Sequence, residues 1–163
     1  MARRANAVAG AAGWVAMPTQ KQWVFSPDTG GVKIPVAVQR DVQQRLEAAA
    51  AKHFKGKYTR LDIRFKAQFC YIDAYQEPPK PTENWPPQDW PETPEAYIER
   101  LRNTPTHLCR LRYFGDDRWG WAFYTYSHEK YEFSYFPRGE PFGKPEEAFL
   151  AAATMYLNDG API

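Results

Sequence analysis

The stretch RLDIRFKAQFCYIDAY, Arg60 to Tyr75, alternates apolar and polar residues on both sides of a break at Ala67-Gln68. A period of two marks a half-buried strand, and two such runs joined by two residues read as a β-hairpin. Registering the alternation pairs Phe65 with Cys70, Ile63 with Ile72 and Leu61 with Ala74, one uniformly apolar face. The reverse face pairs Arg64 with Tyr71, Asp62 with Asp73 and Arg60 with Tyr75. A one-residue slip mixes the two sets, which disfavours every other register. Two features then need a cause. Ala-Gln lacks the Gly or Asn that two-residue hairpin turns favour, and two carboxylates stand opposite each other, a destabilising arrangement.

The 163 residues are enough for one domain with a real core. Val38, Val42, Leu46, Ala49 and His53 mark one stripe of a helix opening near Pro35 and ending near Gly56. On that stripe His53 reads as a core histidine. Residues 77–94, EPPKPTENWPPQDWPETP, carry too much proline for helix or central strand. They are expected to run extended and to lie over part of the sheet as a lid. Thr93 then caps a short helix with Pro94 at its first position.

HLCRLRYFG, RWGWAFYTYS and YEFSYFP read as a three-stranded meander. A turn at Asp116-Asp117 pairs Phe114 with Trp119, Arg112 with Trp121 and Arg110 with Phe123. Cys109, Leu111, Tyr113, Gly120, Ala122, Tyr124 and Phe133 fall on the other side, where small residues let a helix approach. Pro145 opens a last helix with Phe149, Ala152, Ala153 and Tyr156 on one stripe. Near the start, Pro27 to Gly31 is a turn cluster and Trp23-Val24-Phe25 a short strand.

The fold class is therefore α+β: an antiparallel sheet of about five strands, N-terminal and C-terminal helices packed on one face, and a Pro/Trp-rich insertion between strands two and three. Residues 21–158 form the single domain, residues 1–20 a disordered extension and residues 159–163 a tail. The opening MARRANAVAGAAG imitates a signal peptide, but its apolar run is Ala, Gly and Val without Leu, Ile or Phe. No run approaches the ~20 apolar residues of a membrane span, so no membrane partner is expected.

Lys+Arg 21 against Asp+Glu 19 leaves a net charge of +2, too balanced to argue for duplex DNA or a membrane surface. Cys70 and Cys109 sit mid-strand with no CxxC spacing. They read as reduced, buried thiols of a cytoplasmic protein, or as a buried disulfide should strands two and three be neighbours. No metal-ligand spacing or cofactor motif stands out.

The candidate site is the polar sheet face: Arg64, Asp62, Asp73, Tyr71, Arg110, Arg112, Trp121 and Phe123. Arginine forks offset the facing carboxylates, and Arg with aromatic residues is the composition of binding hot spots. The leading function is a non-catalytic module binding a protein partner through this face. Single-stranded nucleic acid is the alternative, because bases stack on rings beside arginines. A third reading is a hydrolase using Asp62, Asp73, His128 and Glu129. In YTYSHEKYE, Tyr124 to Glu132, those last two residues also suit an ordinary polar hairpin turn. His107 follows Thr104-Pro105 at a strand start and reads as local structure.

The segments GKYTRLDIRFKAQFCYIDAYQEP, TPTHLCRLRYFGDDRWGWAFYTYSHEKYE and PEEAF resemble a group of short bacterial proteins of unassigned activity. The resemblance runs from about Trp23 to Leu157. It implies a free-standing cytoplasmic protein of bacterial type and brings no cofactor or site residue.

Overall fold

The computed structural model describes residues 28–157. The Trp23-Val24-Phe25 strand, the N-terminal extension and the C-terminal tail lie outside them. In chain order the elements are α1 (Val36–His53), β1 (Arg60–Lys66), β2 (Phe69–Tyr75), α2 (Pro94–Arg102), β3 (Thr106–Tyr113), β4 (Trp119–Thr125), β5 (Lys130–Ser134) and α3 (Pro145–Tyr156). The strands form one sheet in the order β1-β2-β3-β4-β5, antiparallel throughout. This is an α+β protein.

The β1–β2 register is the one the alternation dictates, from Arg60 opposite Tyr75 to Lys66 opposite Phe69. Its turn works without glycine because tertiary contacts hold it. Ala67 sits at φ 54°, and its carbonyl accepts the Ile34 N–H at 3.0 Å while the Gln68 carbonyl accepts the Tyr113 N–H at 2.9 Å. A left-handed residue other than glycine is uncommon. Here its neighbours impose it.

The β3–β4 register differs from the expectation by one residue. Gly115, Asp116 and Asp117 all have positive φ and form a three-residue loop, closed where the Phe114 N–H donates to the Arg118 carbonyl at 2.9 Å. Tyr113 therefore faces Trp119, Leu111 faces Trp121 and Cys109 faces Phe123. One added loop residue moves every β4 side chain to the other face. Trp121 and Phe123 thus leave the polar face for the apolar one, while Tyr124 joins the arginines. Phe133, opposite Ala122 on β5, follows it.

One buried cluster joins Val42, Leu46 and Ala50 of α1, Phe149, Ala152 and Ala153 of α3, and Ile72, Leu111, Trp119 and Trp121 of the sheet. Phe123 packs against it half-buried. His53 is exposed, not a core histidine. The core position at that end of α1 belongs to Phe54, whose ring meets Phe149 edge-on at 5.9 Å. Thr93 caps α2 as its sequence position requires, accepting the Ala96 N–H at 3.1 Å. Trp85 and Trp90 both pack on Tyr97 of that helix, with ring centroids 5.3 and 5.1 Å away. The two tryptophans thus spend their rings on α2, where the lid expectation placed them on the sheet.

Candidate functional site

The cross-strand pairing puts one row of side chains on the polar face: Arg64 of β1, Tyr71 of β2, Arg110 of β3, Ala122 of β4 and Phe133 of β5. Beside it run Lys66, Phe69 and Arg112. Guanidinium groups and rings interleave along both. Arg60 lies over Tyr75 at 3.9 Å from the centroid, Arg64 over Tyr71 at 5.4 Å, and Arg110 and Arg112 over Phe69 at 4.6 and 4.7 Å. Such cation–π contacts contribute about 0.5–1 kcal/mol each at exposed sites. They hold the guanidinium planes against the sheet.

The facing carboxylates have their explanation in Arg64. Its Nε lies 3.1 Å from Asp62 and its Nη2 2.8 Å from Asp73, so one fork bridges both and offsets their repulsion. Asp73 is the buried charged residue of this face, 3% exposed. A buried carboxylate needs compensation for lost hydration. Its second oxygen supplies the unexpected part of the site: Asp73 Oδ1 is 3.0 Å from Nδ1 of His107.

His107 reaches that position through a β-bulge. Ile72 pairs with Cys109 but Asp73 pairs with His107, leaving Leu108 without an opposite residue. Strict alternation groups His107 with Cys109 and Leu111 on the apolar side. The extra residue lets Leu108 and Cys109 both enter the core and turns His107 onto the arginine face, the re-aiming that bulges produce. The His107 ring then lies 4.7 Å from Tyr124 and stacks on Tyr126 at 6.3 Å with an interplanar angle of 18°. Its backbone N–H donates to the Tyr126 hydroxyl at 2.7 Å.

Electrostatics on this face follow from burial. Burial, aided by the Asp73 charge, pushes the Tyr131 phenol well above its usual range. Burial also raises Tyr126, outweighing the hydrogen bond it accepts from His107. Both phenols stay neutral near pH 7. Burial and the nearby Arg110 charge lower Arg112, only partly offset by Asp28.

No family model, curated protein or solved structure matches the chain.

Of the residues expected in the site, Arg64, Asp62, Asp73, Tyr71, Arg110 and Arg112 share the polar face. Trp121 and Phe123 do not, and Trp121 is buried with its indole N–H donated to the Tyr135 carbonyl at 3.2 Å. His128 pairs with Glu132 at 2.6 Å in the β4–β5 turn, and Glu129 sits exposed in that turn at φ 52°. The histidine bound to Asp73 is His107 instead. Among the described residues no three His, Cys, Asp or Glu are placed to hold a metal ion, and no helix is long and apolar enough to cross a membrane.

Cys70 and Cys109 are free and buried although β2 and β3 are neighbours. Each faces a different partner, Leu111 and Ile72. Burial raises both thiols far above their usual range, which suppresses the reactive thiolate. Both are expected to resist a thiol-specific disulfide reagent in the native protein and to react fully in guanidinium. Fast labelling of either without denaturant contradicts this packing.

Proposed function

We propose that the chain is a non-catalytic binding module in which α1 and α3 cover the apolar side of the sheet and the arginine-aromatic side receives an extended acidic protein segment. One observation carries this reading. Arg45, Arg64, Arg100, Arg102 and Arg138 each pair with a carboxylate, whereas among the described residues Arg60, Arg110 and Arg112 form no ion pair. Among the described residues Arg112 donates to the Gly30 carbonyl alone, at 2.8 Å. Three guanidiniums aligned by rings and without a direct ion pair among the described residues, with the Asp28 charge only near Arg112, complement external carboxylates.

A cleft of about 430 Å³ is lined by Pro78, Leu101, Pro105 and Tyr126, and another of about 420 Å³ by Val38, Arg45 and Asp117. Neither is lined by an arginine of the row, which favours an extended partner over a small molecule. Single-stranded nucleic acid fits less well. The ring faces that would stack on bases already carry guanidinium groups at Tyr75, Tyr71 and Phe69.

The double variant Arg110→Glu, Arg112→Glu is expected to weaken retention on an immobilised oligoglutamate peptide at least tenfold, since reversed charges at an interface are strongly unfavourable. A circular dichroism melt controls for folding. Undiminished retention by a folded variant refutes the acidic-segment reading. Stronger retention of wild type on oligothymidylate than on oligoglutamate at low salt would transfer the face to nucleic acid.

A further inference from the structure

We propose that His107 is a carboxylate-binding residue of this face, and that its ring takes up one proton when an acidic partner docks. The inference rests on the arginine row receiving acidic groups. Asp73 accepts from Nδ1 at 3.0 Å, and Tyr124 and Tyr126 hold the ring plane. These contacts leave Nε2 as the ring's remaining polar atom, with no hydrogen-bond partner among the described residues and the side chain 35% exposed. In its neutral state the ring donates Nδ1–H to Asp73 and presents a lone pair at Nε2. That lone pair repels a carboxylate. Protonation at Nε2 converts the same atom into an N–H donor without disturbing the bond to Asp73, so a docking carboxylate and a proton bind together.

The surroundings restrict which groups respond to pH. Asp73 faces the ring from β2. Arg64 and Asp62 lie beyond it on β1, with Tyr124 and Tyr126 from β4 and the turn after it. Tyr131 of β5 packs on Tyr124 at 5.1 Å. Of the side-chain types present, imidazole is the one whose ordinary charge change falls between about pH 6 and pH 8. The sequence contains 3 histidines. His53 is exposed on α1 and His128 is paired with Glu132, so the three are separable by substitution.

The test is calorimetric titration of the full chain with a glutamate octapeptide at about pH 6 and about pH 8, in buffers of differing ionisation enthalpy. Wild type is expected to bind about fivefold or more tightly at the lower pH, with net proton uptake. His107→Gln should bind with the same affinity at both values, and His128→Gln should behave as wild type. Imidazole nitrogen shifts of wild type give a reading independent of variant folding, with Nε2 moving to its protonated position as peptide is added. Suppose Arg110→Glu, Arg112→Glu abolishes binding while the pH dependence survives in His107→Gln, or Nε2 stays unprotonated in the complex. Then His107 is excluded and the arginine reading stands. Absence of peptide binding by wild type at both pH values overturns both.

Discussion

Gly143→Ala is expected to lower the thermal midpoint by roughly 10 °C, corresponding to a loss of about 3 kcal/mol in a chain of this length. A methyl group there would stand 2.5 and 2.7 Å from two ring carbons of Phe136 and 2.9 Å from the Glu147 carboxylate. Neither side can yield readily. Gly143 is clamped to Trp119 by two backbone hydrogen bonds of 2.9 and 3.1 Å. Phe136 is buried and packs on Trp121 at 6.2 Å. The double variant Gly143→Ala, Phe136→Leu should recover part of the loss relative to the sum of its single changes, because the smaller side chain vacates the contact. A midpoint for Gly143→Ala within about 2 °C of wild type would show that this segment gives way easily.

Arg45→Met is expected to destabilise the protein by about 2–3 kcal/mol, measured by urea unfolding. Arg45 of α1 joins three elements. It pairs with Asp117 of the β3–β4 loop at 2.9 and 3.1 Å, with Glu146 of α3 at 2.7 and 2.9 Å, and with Asp41 one turn earlier at 3.0 Å. Methionine preserves the stem's packing but leaves converging carboxylates without their shared cation, so the effect exceeds that of a surface pair. The pH dependence is a sharper test. Burial raises Asp117, but hydrogen bonds from Arg45, Trp119 and Lys144 outweigh it and hold its pKa at about 2, against an ordinary 3.8. A depressed carboxylate stabilises the fold above its unfolded pKa, and that contribution fades as pH falls through the folded value. The stability gap between wild type and Arg45→Met should therefore be full above about pH 4 and shrink toward pH 2. A gap unchanged across that range would mean that Asp117 is not the linked group.

The same hub shows why the three-residue β3–β4 loop holds its conformation. Asp117 also accepts the Trp119 indole N–H at 3.1 Å and lies 3.1 Å from the Lys144 ammonium. A loop with Asp116 and Asp117 both at positive φ is kept in place by α1, β4 and the start of α3. Two of those partners, Arg45 and Lys144, are distant from it in sequence.

Sequence alone determined the α+β class, the β1–β2 register and the pairing of Asp62 with Asp73, because both runs sort cleanly into apolar and polar parities. It also placed Arg64, Arg110 and Arg112 on one face. On β4 the alternation carries no such instruction: Trp119, Trp121 and Phe123 alternate with Gly120, Ala122 and Tyr124, and neither set is polar. There the length of a loop decides the face, and long-range hydrogen bonds settle that length. The size contrast between Trp119, Trp121 and Phe123 and the small Gly120 and Ala122 was the available signal, since a core must be filled.

Tertiary structure alone decided the place of His107. A single unpaired residue, Leu108, is accommodated because the core has room for it beside Cys109, and everything before it on β3 changes sides. Periodicity describes a strand only while its ladder is regular. A bulge arises from burial supplied by the rest of the chain, so the bond between Asp73 and His107 had no local signature to read.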